Sequence, residues 1–255
     1  MDKRQQGSVE TSRKGGLAII EFFHPAQNSL PGRLLAELTQ AIQDAGVDET
    51  VKLILLKSAG DRTFCAGASF DELMAIEDLD TGKAFFLGFA NVINALRKCP
   101  KLVVGRVQGK CVGGGVGLAS AVDFCVATKY ASVKLSELAV GIGPFVVGPA
   151  VERKIGKSAM CQLAINATEW KSAEWARDKG LFAEVFEDIE AMDAWLEAFL
   201  DRLEASNPEA MNNLKSVFWE GAEHWDELLD TRAAMSGKLV LSDYTKNAIA
   251  KFKTS

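Results

Sequence analysis

Glu137 sits among Leu135, Leu138, Ala139, Val140 and Ile142 in the stretch KLSELAVGIGP, residues 134–144. A carboxylate in apolar company is partly desolvated. Its pKa rises towards the range in which it can take a proton and return it. Two earlier stretches are nearly bare of side chains. In TFCAGASFDEL, residues 63–73, Ala66, Gly67 and Ala68 stand between an apolar run and a helix expected from Ser69. In VQGKCVGGGVGLASAVD, residues 107–123, Gly113, Gly114, Gly115 and Gly117 follow a second apolar run and precede a small-residue helix. Small residues let a ligand approach the backbone, and the first N–H groups of a helix favour developing negative charge. The glycine turn matches neither GxxxxGK[ST] nor GxGxxG. An anion hole for a small oxyanion suits it better than a phosphate cradle. Taken singly, each stretch also reads as ordinary structure: a strand-to-helix turn, close helix–sheet packing, a surface glutamate.

Other chemistries find little to work with. The histidines are His24 and His224, and neither lies in a nucleophile motif. His24 reads as a loop residue and His224 as the wet face of a helix. No His/Cys/carboxylate cluster has metal-ligand spacing. Cys65, Cys99, Cys111, Cys125 and Cys161 are odd in number and form no CxxC, which predicts buried, reduced thiols. The chain is 255 residues long, 48% hydrophobic and 25% charged, with a net charge of -5 and no basic stripe. Nucleic acid is therefore a poor partner. No run is long and apolar enough to span a membrane, and residues 1–14 are too polar for a signal peptide. The expectation is a cytoplasmic α/β protein.

The elements that position the three stretches alternate along the chain. Leu17–Phe22, Lys52–Lys57, Leu102–Val107, Phe124–Ala127 and Ala183–Phe186 are expected strands. Leu34–Ile42 and Thr81–Leu96 have helical spacing, the second ending near Pro100. Ser172 caps a short helix that Gly180 closes. Ile189–Leu203 puts Met192, Trp195, Leu196, Phe199, Leu200 and Leu203 on one helical face, and Asn207-Pro208 breaks it before further helices. The expected organisation is a loose start over 1–14, an α/β core over 15–187 and a helical region over 188–255. That last block is expected to pack on the core or on a neighbouring subunit.

In this order and spacing, the three stretches resemble the crotonase superfamily, also called the enoyl-CoA hydratase/isomerase family. TFCAGASFDEL looks like its first oxyanion segment, VQGKCVGGGVGLASAVDFCVAT like its second, and KLSELAVGIGPF like the segment bearing a catalytic carboxylate. HPAQNSL, VKLILLKS and the closing FK near Phe252 add to a likeness that runs from about Leu17 to the C-terminus. The resemblance implies a core spiral of ββα turns and a helical C-terminal region that drives trimerisation, as a homotrimer or a hexamer of two trimers. It implies an acyl-CoA thioester as substrate, with coenzyme A entering as part of it and no permanent cofactor or metal. It assigns the two oxyanion N–H groups to Ala68 and Gly114 and the proton transfer to Glu137. Ala26, Gln27, Ala66 and Phe70 fall where the family lines its substrate, and Lys253 (or Lys251) falls where a cation meets coenzyme A phosphates.

Two positions depart from the family pattern. Ser69 stands where Asp is common. Gly117 stands where two-glutamate hydratases carry their second glutamate, two residues beyond the glycine run. One acid–base group suffices to move a double bond from position 3 to position 2, whereas hydration divides its work well between two carboxylates. The expectation therefore leans to enoyl-CoA isomerisation with Glu137 as the shuttle. Hydration of a straight or branched substrate such as methylglutaconyl-CoA stays open, with Asp71, Glu72 or Glu77 as a substitute group. So does a non-catalytic acyl-CoA-binding role. The acyl pocket is expected from residues about 70–95 and 140–150.

Overall fold

The computed structural model of the chain describes residues 6–252. Six strands lie side by side in one sheet. They are β1 (Ser8–Lys14), β2 (Leu17–Phe23), β3 (Leu53–Ser58), β5 (Leu102–Val107), β7 (Phe124–Thr128) and β10 (Glu184–Phe186). The β1–β2 pair is antiparallel, and the others are parallel, with Leu17 opposite Leu53 and Leu53 opposite Leu102. A smaller sheet joins β4 (Thr63–Cys65), β6 (Lys110–Val112), β8 (Ser132–Lys134) and β9 (Lys171–Ser172).

Helix α1 (Gly32–Val47) follows β2. The chain then repeats one pattern: a strand in the large sheet, a strand in the small sheet, then helix. β3 and β4 lead to α2 (Phe70–Met74) and α3 (Leu79–Lys98), and β5 and β6 lead to α4 (Gly114–Ala121). β7 and β8 lead to a 3-10 turn at Glu137–Val140 and to α5 (Gly148–Ile165). This is the ββα spiral that the resemblance implied. The remaining helices are α6 (Ala173–Asp178), α7 (Ile189–Glu204), α8 (Pro208–Phe218), α9 (Trp225–Val240) and α10 (Asp243–Phe252).

Both faces of the large sheet are covered, which is why β3 and β5 open on apolar runs, Leu53–Leu56 and Leu102–Val104, with no polar alternation. Successive side chains point to opposite faces. Ile54 and Leu56 join Ala18, Ile20 and Phe22 against Leu34, Leu38 and Ile42 of α1 and Ile93 and Leu96 of α3. Leu53 and Leu55 join Leu17, Val104 and Val126 against Met192, Leu196 and Leu200 of α7. Each such buried Leu or Ile contributes about 1.5–3 kcal/mol. Trp195 and Phe199 stack with Phe124 along the same face.

The helical region packs on the core of its own chain. Helix α8 is anchored by Lys215, which is buried. Its Nζ donates to Asp123 Oδ1 (2.9 Å), Asp123 Oδ2 (2.8 Å) and the Leu96 carbonyl (2.8 Å). Asp123 also accepts from Trp219 Nε1 and the Val103 N–H, each at 2.8 Å. A buried ion pair is tolerable when its remaining valences are met in this way. Helix α9 lies along α3 with backbones in contact at Gly82 and Gly237, where a Cβ on Gly82 would come within 2.9 Å of the Gly237 Cα.

Two expectations are corrected. The start of the chain is not loose from residue 8 onward: Ser8–Lys14 is an edge strand, hydrogen-bonded on one side only. Its side chains are mostly exposed, so it lacks the apolar alternation that marks a strand in sequence. Cys161 is exposed, whereas the other four cysteines are buried, and all five are free thiols. No helix among the described residues is long and apolar enough to cross a membrane.

Candidate active site

The small sheet brings the three chemical stretches together. β4 pairs with β6, placing Cys65 opposite Cys111, and β6 pairs with β8, placing Val112 opposite Lys134. Each stretch leaves its strand at the same end of this sheet.

The first stretch is fixed from the far side by Leu30. The Leu30 N–H donates to the Gly67 carbonyl (2.8 Å), and the Ser69 N–H donates to the Leu30 carbonyl (3.3 Å). In such a parallel bridge the N–H of the central residue, Ala68, is turned away from Leu30. Ser69 serves as N-cap of α2, its Oγ accepting from the Glu72 N–H at 3.3 Å. Aspartate, common at this position in the resembling family, caps equally well. Gly67 has a φ of 90°, and a Cβ there would come 3.2 Å from the Val112 carbonyl and 3.7 Å from Gly114 N. The two bare segments therefore touch.

The second stretch turns at Gly113, whose φ of 51° suits glycine. Its N–H is held by the Lys134 carbonyl (2.9 Å), and its carbonyl accepts from Val116 and Gly117. Gly114 is then the first residue of α4, where an N–H has no partner within its helix. Among the described residues no acceptor takes the Ala68 or the Gly114 N–H. A Cβ on Gly114 would run into the ring of Phe89.

The third stretch puts Glu137 against this turn. A Cβ on Gly113 would lie 2.9 Å from Glu137 Oε1. The residue as a whole is half-buried, but Oε2 is shut off from solvent and has no hydrogen-bond partner. Burial pushes the Glu137 carboxyl up to about 7 from the ordinary 4.5. The 3-10 turn is closed by Gly141 and by the Ile142 N–H donating to the Glu137 carbonyl (3.0 Å).

A cavity of about 260 Å³ opens between these segments. Ala66, Ala68, Phe70, Gly114 and Glu137 line it. So do Leu73, Phe85, Phe86 and Phe89 from the first expected range and Val140 and Ile142 to Val147 from the second, with Val112, Gly113 and Ser136 between them. Ala26 and Gln27 do not reach it. They are exposed in the loop before Leu30, and Gln27 Oε1 accepts from Thr63 Oγ1 (2.9 Å). Lys253 lies outside the described residues. Asp71, Glu72 and Glu77 do not border the cavity, and Glu72 Oε2 is engaged by the Gly32 N–H at 2.8 Å. Position 117 has no room for a side chain: a Cβ there would lie 2.6 Å from Val147 Cγ1. Ser236, on α9, also borders the cavity and carries no signal in the sequence.

Two N–H groups without acceptors, on segments that touch, lie beside a carboxyl whose pKa is raised to about 7; such groups suit drawing a proton from the carbon beside a carbonyl. Unpaired N–H donors of this kind can hold charge that develops on an oxygen. The family model for enoyl-CoA hydratase/isomerase matches residues 12–253. The chain belongs to that family. It is 27% identical over 244 residues to a probable enoyl-CoA hydratase of Bacillus subtilis (strain 168), covering 92% of each chain. It is 25% identical over 239 residues to the peroxisomal Delta(3,5)-Delta(2,4)-dienoyl-CoA isomerase of Arabidopsis thaliana, covering 88% of this chain and 84% of the other. Its fold matches that of an enoyl-CoA hydratase from Bacillus halodurans with a TM-score of 0.88 at 19% identity, over 95% of this chain and 99% of that one.

Proposed function

We propose that the chain isomerises an enoyl-CoA, moving the double bond from position 3 to position 2, with Glu137 as its proton shuttle. The observation that carries this reading is that Glu137 is the one ionisable side chain among the described residues lining the cavity.

In this reading the thioester oxygen accepts hydrogen bonds from the Ala68 and Gly114 N–H groups. The Glu137 carboxylate takes a proton from carbon 2, breaking that C–H bond, and the electron pair spreads into a dienolate whose charge rests on the thioester oxygen. The same carboxyl returns the proton to carbon 4, and the double bond settles between carbons 2 and 3. No water is consumed. Each N–H donor contributes about 2.7–4 kcal/mol to such a step, and the shuttle about 10²–10⁴ in rate. A pKa of about 7 lets one group serve as base and then as acid.

Hydration would require a second group for the water. The blocked position 117 and the outward engagement of Glu72 both weigh against it. A branched substrate with a free carboxylate, such as methylglutaconyl-CoA, would find no cation among the described lining residues. Its second charge would lie unpaired near Glu137. Self-association as a trimer belongs to the same reading, supported by the exposed Leu214, Val217 and Phe218 of α8 and measurable by sedimentation. So does a cytoplasmic location.

The test is a paired assay of 3-enoyl-CoA and 2-enoyl-CoA with the wild-type chain and Glu137→Gln. Brisk turnover of the 3-enoyl thioester that Glu137→Gln abolishes is expected. Hydration of the 2-enoyl thioester with no action on the 3-enoyl one would overturn the reading. Binding without turnover on either would favour a non-catalytic role.

A further inference from the structure

The wall that α9 contributes to the cavity holds a polar group that the chemistry above does not use. Ser236 belongs to the buried face of α9, with Leu229, Ala233, Gly237 and Val240. It is 1% exposed, it borders the cavity, and its Oγ has no hydrogen-bond partner. A helical hydroxyl ordinarily settles on the carbonyl four residues back. Ser120 does so on Val116 (2.7 Å), Thr39 on Leu35 (2.8 Å) and Ser216 on Asn212 (3.2 Å). Ser236 does not bond the Arg232 carbonyl in this way. Its position is nevertheless well fixed. Gly237, its neighbour, abuts Gly82 of α3, and Arg232 Nη1, one turn earlier, donates to the Phe145 carbonyl at 3.3 Å.

A buried hydroxyl without a partner destabilises the fold, so a partner arriving with the ligand recovers that loss on binding. The cavity that Ser236 borders is otherwise lined largely by apolar side chains, among them Phe85, Phe86, Phe89, Phe145 and Val147. Charge is not accommodated there, because the described lining residues include no Lys, Arg or His. We propose that Ser236 is a specificity-determining residue that pairs with a neutral oxygen, a hydroxyl or keto group, carried on the acyl chain beyond the β-carbon. This rests on the acyl-CoA reading above and narrows it from enoyl thioesters in general to oxygenated ones. A plain chain would leave the hydroxyl unpaired, so the preference comes from the penalty on the wrong substrate as much as from the bond to the right one.

Binding decides the matter without turnover. The probes are coenzyme A thioesters of a saturated chain, plain or carrying one hydroxyl moved carbon by carbon outward from beyond the β-carbon. Affinities are measured by calorimetry for the wild-type chain and for Ser236→Ala. At one hydroxyl position the wild type should bind roughly tenfold tighter than it binds the plain chain. Ser236→Ala should lose that preference while holding the plain chain at least as well. No hydroxyl preference at any position in the wild type, or equal weakening of both probes in the variant, overturns the proposal and leaves the acyl-CoA reading intact. Failure of every thioester, plain ones included, removes both. The melting temperature of Ser236→Ala should equal or exceed that of the wild type, since the change removes an unpaired hydroxyl. A fall would show that a structural water already satisfies Ser236, which also overturns the proposal.

Discussion

Val147 occupies the space that a side chain on residue 117 would need: a Cβ there would lie 2.6 Å from Val147 Cγ1 and 2.9 Å from its Cβ. The absence of a second glutamate is thus matched by a filled wall. Gly117→Glu alone should not create a hydratase. It should lower the melting temperature by roughly 5–10 °C, through overpacking and an unpaired buried carboxylate. Adding Val147→Ala should recover part of that loss, and only the double variant should gain hydration of 2-enoyl-CoA. A stable single variant with hydratase activity would contradict the packing described here.

Glu137→Gln keeps the shape of the side chain and removes its base. Turnover of 3-enoyl-CoA should fall about 10²–10⁴-fold with little change in KM. In the wild-type chain kcat/KM should rise with pH as the carboxyl ionises, then level off above about 7. A profile flat from pH 5 to 8 would show that another group carries the proton.

The same carboxyl has a consequence for stability. Its folded pKa, about 7, lies above the ordinary 4.5, so between these values the folded state binds the extra proton. The stabilisation is complete below about 4.5 and is lost as pH rises through about 7. Glu137→Gln should therefore match the wild type in acid and exceed it at pH 8, by as much as ~3 kcal/mol. Denaturant titrations at the two pH values measure this.

Lys215 and Asp123 hold α8 to the sheet inside the protein. Lys215→Ala leaves the Asp123 carboxylate with Trp219 and the Val103 N–H but without its cation. A loss of about 3–5 kcal/mol is expected in urea unfolding. Removing both charges with Lys215→Met and Asp123→Asn should cost less than removing one. Additive losses would argue that the two do not act as a pair.

Long periodic segments announced themselves. The face of α7 and the span of α3 were legible because one side of each is buried, and LVVGRV because both of its faces are. The small sheet was not legible. Its strands are two or three residues long, too short for any period, although they are what align Ala68, Gly114 and Glu137. The carboxylate was legible because its surroundings are local: Leu135 to Ile142 supply the apolar setting within one turn. Ser236 lies 99 positions beyond Glu137, and its role as cavity wall depends on how α9 crosses α3. That crossing is set by two glycines, Gly82 and Gly237, whose contact no local pattern reveals.

That glycine contact also orders events at the ribosome. Ala68, Gly114 and Glu137 are all synthesised before the helix bearing Gly237. A nascent chain therefore holds these three residues before it holds Ser236, the part of the cavity wall that α9 supplies.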